Sequence, residues 1–276
     1  DSVLTRSQEA QLGRQVVRQL RNAGAMIEDP QLHEYIQTLG ATLAAHAHDG
    51  EYKFEFFVVN DDAINAFALP GGYIGVNVGL IQASETESEL AGVLAHEIAH
   101  VTQRHIARSV YDNQRSSILS IAAMLAAVLL GAASDAGGDA MQGILTASQA
   151  AVVQRQIDFT RSNEFEADRI GMDTLYSAGF DPVGMASFFE KLSRRYGLAR
   201  QKVPPFLQTH PVTSERIAGS RNRVRQLPNV DAHNTLGYEL TKAKLTALGA
   251  PSAEAGYTLF QARLEKNDVP VNHYGM

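Results

Sequence analysis

Two histidines four residues apart, His96 and His100, enclose Glu97 in the run Leu94-Ala95-His96-Glu97-Ile98-Ala99-His100-Val101. A helix turns about 100° per residue, so positions four apart share a face. Both imidazoles can then offer a nitrogen to one metal ion at about 2.0–2.1 Å, the reach of zinc. Glu97 stands beside that pair. It is placed to take a proton from an attacking water and to return it later to a leaving amine. That is the chemistry of zinc-assisted peptide hydrolysis. With nine histidines in 276 residues, composition alone gives these three fixed positions about 0.02 times, so the motif is not an accident of composition. The neighbours are apolar, and burying two histidines and a glutamate among them without a partner is costly. One zinc ion per chain is expected, with His96 and His100 as ligands and Glu97 as base.

A catalytic zinc needs a third protein ligand. The chain has no cysteine, so a thiolate is excluded. One known arrangement places Gly three residues and His six residues after the second histidine, but Gln103 and Ile106 stand there. His105 lies about 140° around the helix from His100 and reads as a surface histidine. A glutamate from a second helix remains, and Asn163-Glu164-Phe165-Glu166-Ala167-Asp168 supplies it. Glu164 and Asp168 share a face at four-residue spacing. Glu164 would bind zinc, and Asp168 would accept a hydrogen bond from a ligand histidine's other nitrogen. Glu166 is turned about 200° from Glu164 and should stay out of the site.

The elements that must position these groups follow from periodicity and turn chemistry. Residues 7–22 form an amphipathic helix with Leu12, Val16 and Leu20 on one face. Asp29-Pro30 starts a helix carrying Leu32, Tyr35, Ile36, Leu39 and Leu43. Three short strands follow, 54–59, 64–69 and 73–78, the last two joined through Pro70-Gly71-Gly72 as a hairpin. Ser84-Glu85-Thr86-Glu87 reads as a capping box for the helix that carries the motif, which runs to about residue 108. A long helix spans 152–178 and ends at Gly179. Another begins at Asp181-Pro182 with Val183, Phe188, Phe189 and Leu192 inward. Pro204-Pro205 marks a loop, and Thr213 caps a helix to Leu227, whose Arg216, Arg221, Arg223 and Arg225 read as a solvated face. Helices near 236–248 and 253–266 finish the chain, with a boundary at 228–235. The fold class is α+β, mainly helical, with a small sheet and one motif-bearing helix.

Apolar residues at 45%, charged residues at 20% and a net charge of −6 fit a globular protein and argue against a nucleic-acid partner. The chain begins at Asp1 and stops at Asn272-His273-Tyr274-Gly275-Met276, which reads as a processed or trimmed start and a cut end.

The runs Leu90-Ala91-Gly92-Val93-Leu94-Ala95-His96-Glu97-Ile98-Ala99-His100 and Asn163-Glu164-Phe165-Glu166-Ala167-Asp168 resemble the metallopeptidase family of the CaaX prenyl proteases and HtpX. Asn65-Ala66-Phe67-Ala68-Leu69-Pro70-Gly71-Gly72 and Thr209-His210-Pro211 are similar to its soluble bacterial periplasmic branch. The likeness covers roughly residues 5–228. It implies a gluzincin-type fold, Glu164 as third zinc ligand, Glu97 as base and Asp168 behind a ligand. It also implies a periplasmic location and a role in outer-membrane protein quality control, with outer-membrane proteins and their assembly machinery as partners. In that branch a tetratricopeptide-repeat domain follows the peptidase. The expected organisation is therefore a zinc metallopeptidase domain at 1–228 and the opening helices of a repeat domain at 229–276.

A peptidase of this kind takes its polypeptide substrate as an added strand, and Asn65, Ala66, Phe67 and Ala68 are the candidate edge. His210 is fixed between Pro204-Pro205 and the helix start at Thr213. Two active-site roles stand open for it. It could donate to the oxyanion of the tetrahedral intermediate, or close the metal's open position and hold the enzyme latent. Residues 118–133 are almost wholly apolar. Sixteen helical residues span about 24 Å, short of the roughly 30 Å hydrocarbon core. They read as a lid or a buried helix, with peripheral membrane contact as the alternative. The leading function is a zinc endopeptidase acting on misfolded or stalled envelope proteins. Two rivals are a chaperone-like binding module with a largely latent peptidase, and an integral-membrane prenyl-protein protease, which the short apolar run disfavours.

Overall fold

The computed structural model describes residues 4–47, 52–105, 126, 161–196, 203–266 and 268–276. Helix α1, Arg6–Asn22, starts at Thr5, whose side chain and that of Gln8 cap each other's backbone amides. It buries Leu12, Val16 and Leu20. Helix α2, Pro30–Ala44, begins as the Asp29-Pro30 pair dictates, with the Asp29 carboxylate accepting from the Gln31 and Leu32 amides.

Strands β1 (Glu55–Val59), β2 (Ala66–Leu69) and β3 (Tyr73–Asn77) form one sheet in the order β1-β3-β2. β1 runs parallel to β3, pairing Phe57 with Gly75. β2 folds back antiparallel on β3, pairing Ala68 with Ile74. The turn between them needs glycine: Gly71 and Gly72 have φ of +86° and +93°, and a Cβ on Gly71 would meet the Ala10 Cα at 2.5 Å. β2 is left as an edge of this sheet.

The chain then makes a short helix α3, Val78–Ala83, too short for periodicity to mark. Helix α4, Glu87–Thr102, follows. Its cap is Thr86, which accepts from the Glu89 amide; Ser84 instead donates to the Ile81 carbonyl. The cap therefore falls two residues later than expected and the box is not closed, since Glu89 accepts from the Glu85 amide rather than that of Thr86 and Ser84 is still tied to the end of α3. Every residue of α4 is buried. Leu90, Val93, Leu94 and Ile98 are at most 1% exposed, and burial of each such side chain stabilises by about 1.5–3 kcal/mol. A helix buried on every side in this way is a core helix, and its polar residues must find partners inside.

Helix α5, Arg161–Ser177, crosses under α4. The approach is close at Gly171, where a Cβ would lie 3.0 Å from the Ala95 carbonyl. Gly179, at φ +85°, ends it. The expected start near 152 lies outside the described residues. So does the apolar run 118–133, apart from Ala126. Helix α6, Val183–Tyr196, buries Phe188, Phe189 and Leu192, but Val183 is 45% exposed. Val183 sits in the first turn, where its amide is held by the Asp181 carboxylate rather than its side chain by the core.

Pro204 does not leave a plain loop. It caps a five-residue helix α7, Pro205–Thr209, with His210 at its end. Helix α8, Ser214–Val224, is capped by Thr213. Helices α9 (Leu236–Leu248), α10 (Ala253–Lys266) and α11 (Pro270–Tyr274) complete the chain. α9 lies against α2 and α3: Lys244 pairs with Asp29 at 2.6 Å, and the Tyr238 hydroxyl donates to the Ser84 carbonyl at 2.9 Å. Among the described residues, no helix is long and apolar enough to cross a membrane.

Candidate metal centre

α4 brings His96, Glu97 and His100 into the core, each fully buried. α5 brings Glu164 against them, and the end of α7 brings His210. One donor atom from each of His96, His100, Glu164 and His210 lies within 4.8 Å of the others, and all four residues are buried. The Nε2 atoms of His96 and His100 are 3.0 Å apart. Glu164 Oε1 is 3.3 Å from His100 Nε2 and 3.0 Å from His210 Nδ1. His210 Nε2 reaches to 3.5 Å from Glu97 Oε1.

Such a set fits a cation. Two imidazole nitrogens facing each other at 3.0 Å repel unless a proton or a metal ion lies between them. Neither Glu97 oxygen makes a hydrogen bond of full geometry, although the residue is wholly buried. Buried charge of this kind is tolerated when it is paired or serves a metal. His and Glu donors are the nitrogen and oxygen ligands that zinc takes.

The electrostatics agree. Burial pushes the Glu97 carboxyl up, against His210, His96 and the Ala68 amide on β2. Burial likewise pushes His100 well below its ordinary value. At His96 burial acts in the same sense, but Asp168 and Glu164 outweigh it and raise the pKa to about 9. Glu164 is held well below the carboxylate range, since its histidine neighbours outweigh its burial.

Asp168 Oδ1 lies 3.0 Å from His96 Nδ1, on the side of that ring away from the cluster. The carboxylate is itself gripped by Arg216, through Nε to Oδ2 and Nη2 to Oδ1, both at 2.7 Å. Arg216 also reaches Glu164 Oε2 at 2.6 Å and donates to the Pro211 carbonyl at 3.0 Å. It is 2% exposed and stacks over the Phe189 ring. Reading Arg216 as part of a solvated helix face was wrong. Arg221 and Arg223 do pair near the surface, with Glu190 and Asp173, but Arg216 points inward from the first turn of α8. A capping Thr213 three residues earlier was the available clue that the first turn meets the core.

His105 is also misplaced by helical periodicity. It is fully buried, with its Nδ1 2.9 Å from His100 Nδ1 and its Nε2 3.1 Å from Glu166 Oε2. Glu166, expected to stay apart, therefore touches the site through His105, though it is not in the ligand cluster. Of the edge-strand residues, Asn65, Ala66 and Ala68 are buried and Phe67 half-buried. β2 packs on α4, and the Ala68 amide faces Glu97.

Residues 28–224 match Peptidase family M48. The chain belongs to that family. It is 46% identical over 266 residues to a putative beta-barrel assembly-enhancing protease of Vibrio cholerae, covering 96% of this chain and 54% of that protein. It is 43% identical over 245 residues to the beta-barrel assembly-enhancing protease of Escherichia coli K12, covering 88% and 49%. A mitochondrial metalloendopeptidase OMA1 of Arabidopsis thaliana is 34% identical over 173 residues, 63% of this chain and 32% of that one. The chain spans about half the length of the two bacterial relatives. M48 peptidases are metal-dependent, the relatives are named as proteases and a metalloendopeptidase, and this chain has a mainly helical fold around a small sheet.

Proposed function

We propose that this chain is a zinc endopeptidase with one zinc ion held by His96, His100 and Glu164. The observation that carries the reading is the buried four-residue cluster with Glu97 beside it and the edge of β2 alongside. A bound zinc ion would polarise the scissile carbonyl and acidify the attacking water. Glu97 takes the proton from that water and later returns it to the leaving amine. Its raised pKa suits a group that must both accept and give a proton. Asp168 holds the His96 ring through Nδ1, which keeps Nε2 turned to the cluster. Asn65, Ala66, Phe67 and Ala68 receive the substrate as an added strand.

His210 is a fourth donor rather than a bystander. Its Nδ1 lies 3.3 Å from His96 Nε2, and Phe206 stacks on its ring. We assign it as a fourth donor that would close the open position of a bound metal and so keep the resting enzyme latent until substrate displaces it. An oxyanion donor would instead stand off from the ligand atoms.

The physiological setting follows from the family resemblance of the sequence motifs, with which the name beta-barrel assembly-enhancing protease of two relatives agrees: a periplasmic enzyme that removes misfolded or stalled outer-membrane proteins during their assembly. Residues 229–276 are then the opening of the tetratricopeptide-repeat domain that completes it. A chaperone-like role with a largely latent peptidase is the second reading, and the His210 position favours keeping it. The test is elemental analysis and casein hydrolysis by the intact protein, with and without a chelator. One zinc per chain and chelator-sensitive cleavage are expected. Full zinc occupancy in Glu164→Ala would overturn the ligand assignment.

A further inference from the structure

We propose that His105 and Glu166 are positioning residues for the ligand His100, set in place by a Glu9–Arg104 ion pair from α1. The inference rests on the reading of His96, His100 and Glu164 as the metal-holding set.

The two ligand histidines are supported differently. His96 meets the Asp168 carboxylate directly. His100 turns its Nε2 to the cluster, and its Nδ1 faces His105 Nδ1 at 2.9 Å. One proton arrangement satisfies these three contacts together. An imidazole that offers Nε2 to a metal carries its proton on Nδ1. His100 Nδ1–H then donates to His105 Nδ1. His105 must therefore hold its own proton on Nε2, which donates to Glu166 Oε2 at 3.1 Å. A carboxylate thus fixes the tautomer of one imidazole, which fixes that of the next.

A regular helix would turn His105 away from His100. The structure avoids this by ending α4 at Thr102 and placing Arg104 at φ +56°. That left-handed conformation is uncommon for any residue other than glycine. It carries the chain back so that His105 tucks under the helix end. The Arg104 guanidinium is held there by Glu9 on α1, through Nε to Oε1 at 2.9 Å, and by the Leu4 carbonyl. Glu9 is 2% exposed and also accepts from the Tyr52 hydroxyl at 3.0 Å. Outliers of backbone conformation persist where the surroundings over-determine them, commonly at functional sites. α1 lies outside residues 28–224, the part that matches the family. The support of His100 thus reaches into a segment that the family match does not include.

The experiment is metal affinity by competition with a chromophoric chelator, together with the visible spectrum of the cobalt-substituted intact protein. His105→Leu removes the acceptor and should weaken metal binding about 10–100-fold and shift the cobalt spectrum. His105→Asn keeps an acceptor near the Nδ1 position and should recover most of the affinity. Glu166→Ala, at a half-exposed position, should weaken binding in the same direction but less than His105→Leu, as should Glu9→Gln, each a partial loss of an outer partner. Wild-type affinity and spectrum in both His105→Leu and Glu166→Ala, with only the melting temperature lowered, would show that the residues merely pack and would overturn the proposal. Undiminished binding in Glu164→Ala would overturn the centre itself and this support with it, an outcome distinct from loss at His105 alone.

Discussion

Arg216 grips Asp168 with two parallel hydrogen bonds of 2.7 Å, although the residues lie on different helices and 48 positions apart. The same guanidinium touches Glu164 and the carbonyl that follows His210. One side chain therefore braces the carboxylate behind His96, the glutamate of the cluster and the segment that carries the fourth donor. Arg216→Met leaves two buried carboxylates without their partner, and breaking a buried pair of this kind costs about 3–5 kcal/mol. Urea unfolding of the intact protein should show that loss. A change below about 1 kcal/mol, the scale of an exposed pair, would mean that Arg216 is dispensable to the site.

In the proposed centre Asp168 would act on the metal through His96, whose Nδ1 lies 3.0 Å from its carboxylate. Asp168→Asn keeps the shape but not the charge, and should weaken zinc about 10–100-fold. Chelator competition measures it. Unchanged affinity would reduce Asp168 to a partner of Arg216 alone.

His210 separates two mechanisms by sign. As a blocking ligand, its removal in His210→Ala raises basal casein hydrolysis. As an oxyanion donor, its removal slows hydrolysis by about 10²–10³-fold. A rise is expected, because His210 Nδ1 sits among the ligand atoms, 3.0 Å from Glu164 Oε1.

The chelated protein should be most stable near neutrality. The pKa of His96 is raised from 6.5 to about 9, so its contribution is full below pH 6.5 and is lost as the pH rises through 9. The pKa of His100 is depressed below 6.5, so its contribution is full above pH 6.5 and is lost as the pH falls. Thermal melts of the chelated protein should therefore peak near pH 6.5 and decline on both sides, and Asp168→Asn should flatten the alkaline decline. A melting temperature that climbs steadily from pH 6.5 to 9 would contradict this.

What the sequence reveals here is what helical periodicity and caps dictate. The spacings of His96 with His100 and of Glu164 with Asp168 each fix a shared face, and Asp29-Pro30 marks its helix start by local chemistry. The edge position of β2 needed the sheet order, which no local signal carries. His105 was hidden because a single left-handed residue, Arg104, breaks the periodicity that placed it on the surface. Arg216 was hidden because its meaning lies in partners on α5, while its local pattern is that of any charged helix. Ser84 misled because its hydroxyl closes the preceding short helix. Misreadings thus gathered where one element ends and a distant one begins to decide.

In the proposed mechanism Glu97 performs the proton transfers while His96, His100 and Glu164 hold the metal. Glu97→Gln removes the base and no ligand. Zinc content and casein hydrolysis should be measured on that variant in both wild-type and His210→Ala backgrounds of the intact protein. One zinc per chain and no cleavage are expected in either background. Cleavage at the rate of the matching Glu97 protein, with zinc retained, would contradict it.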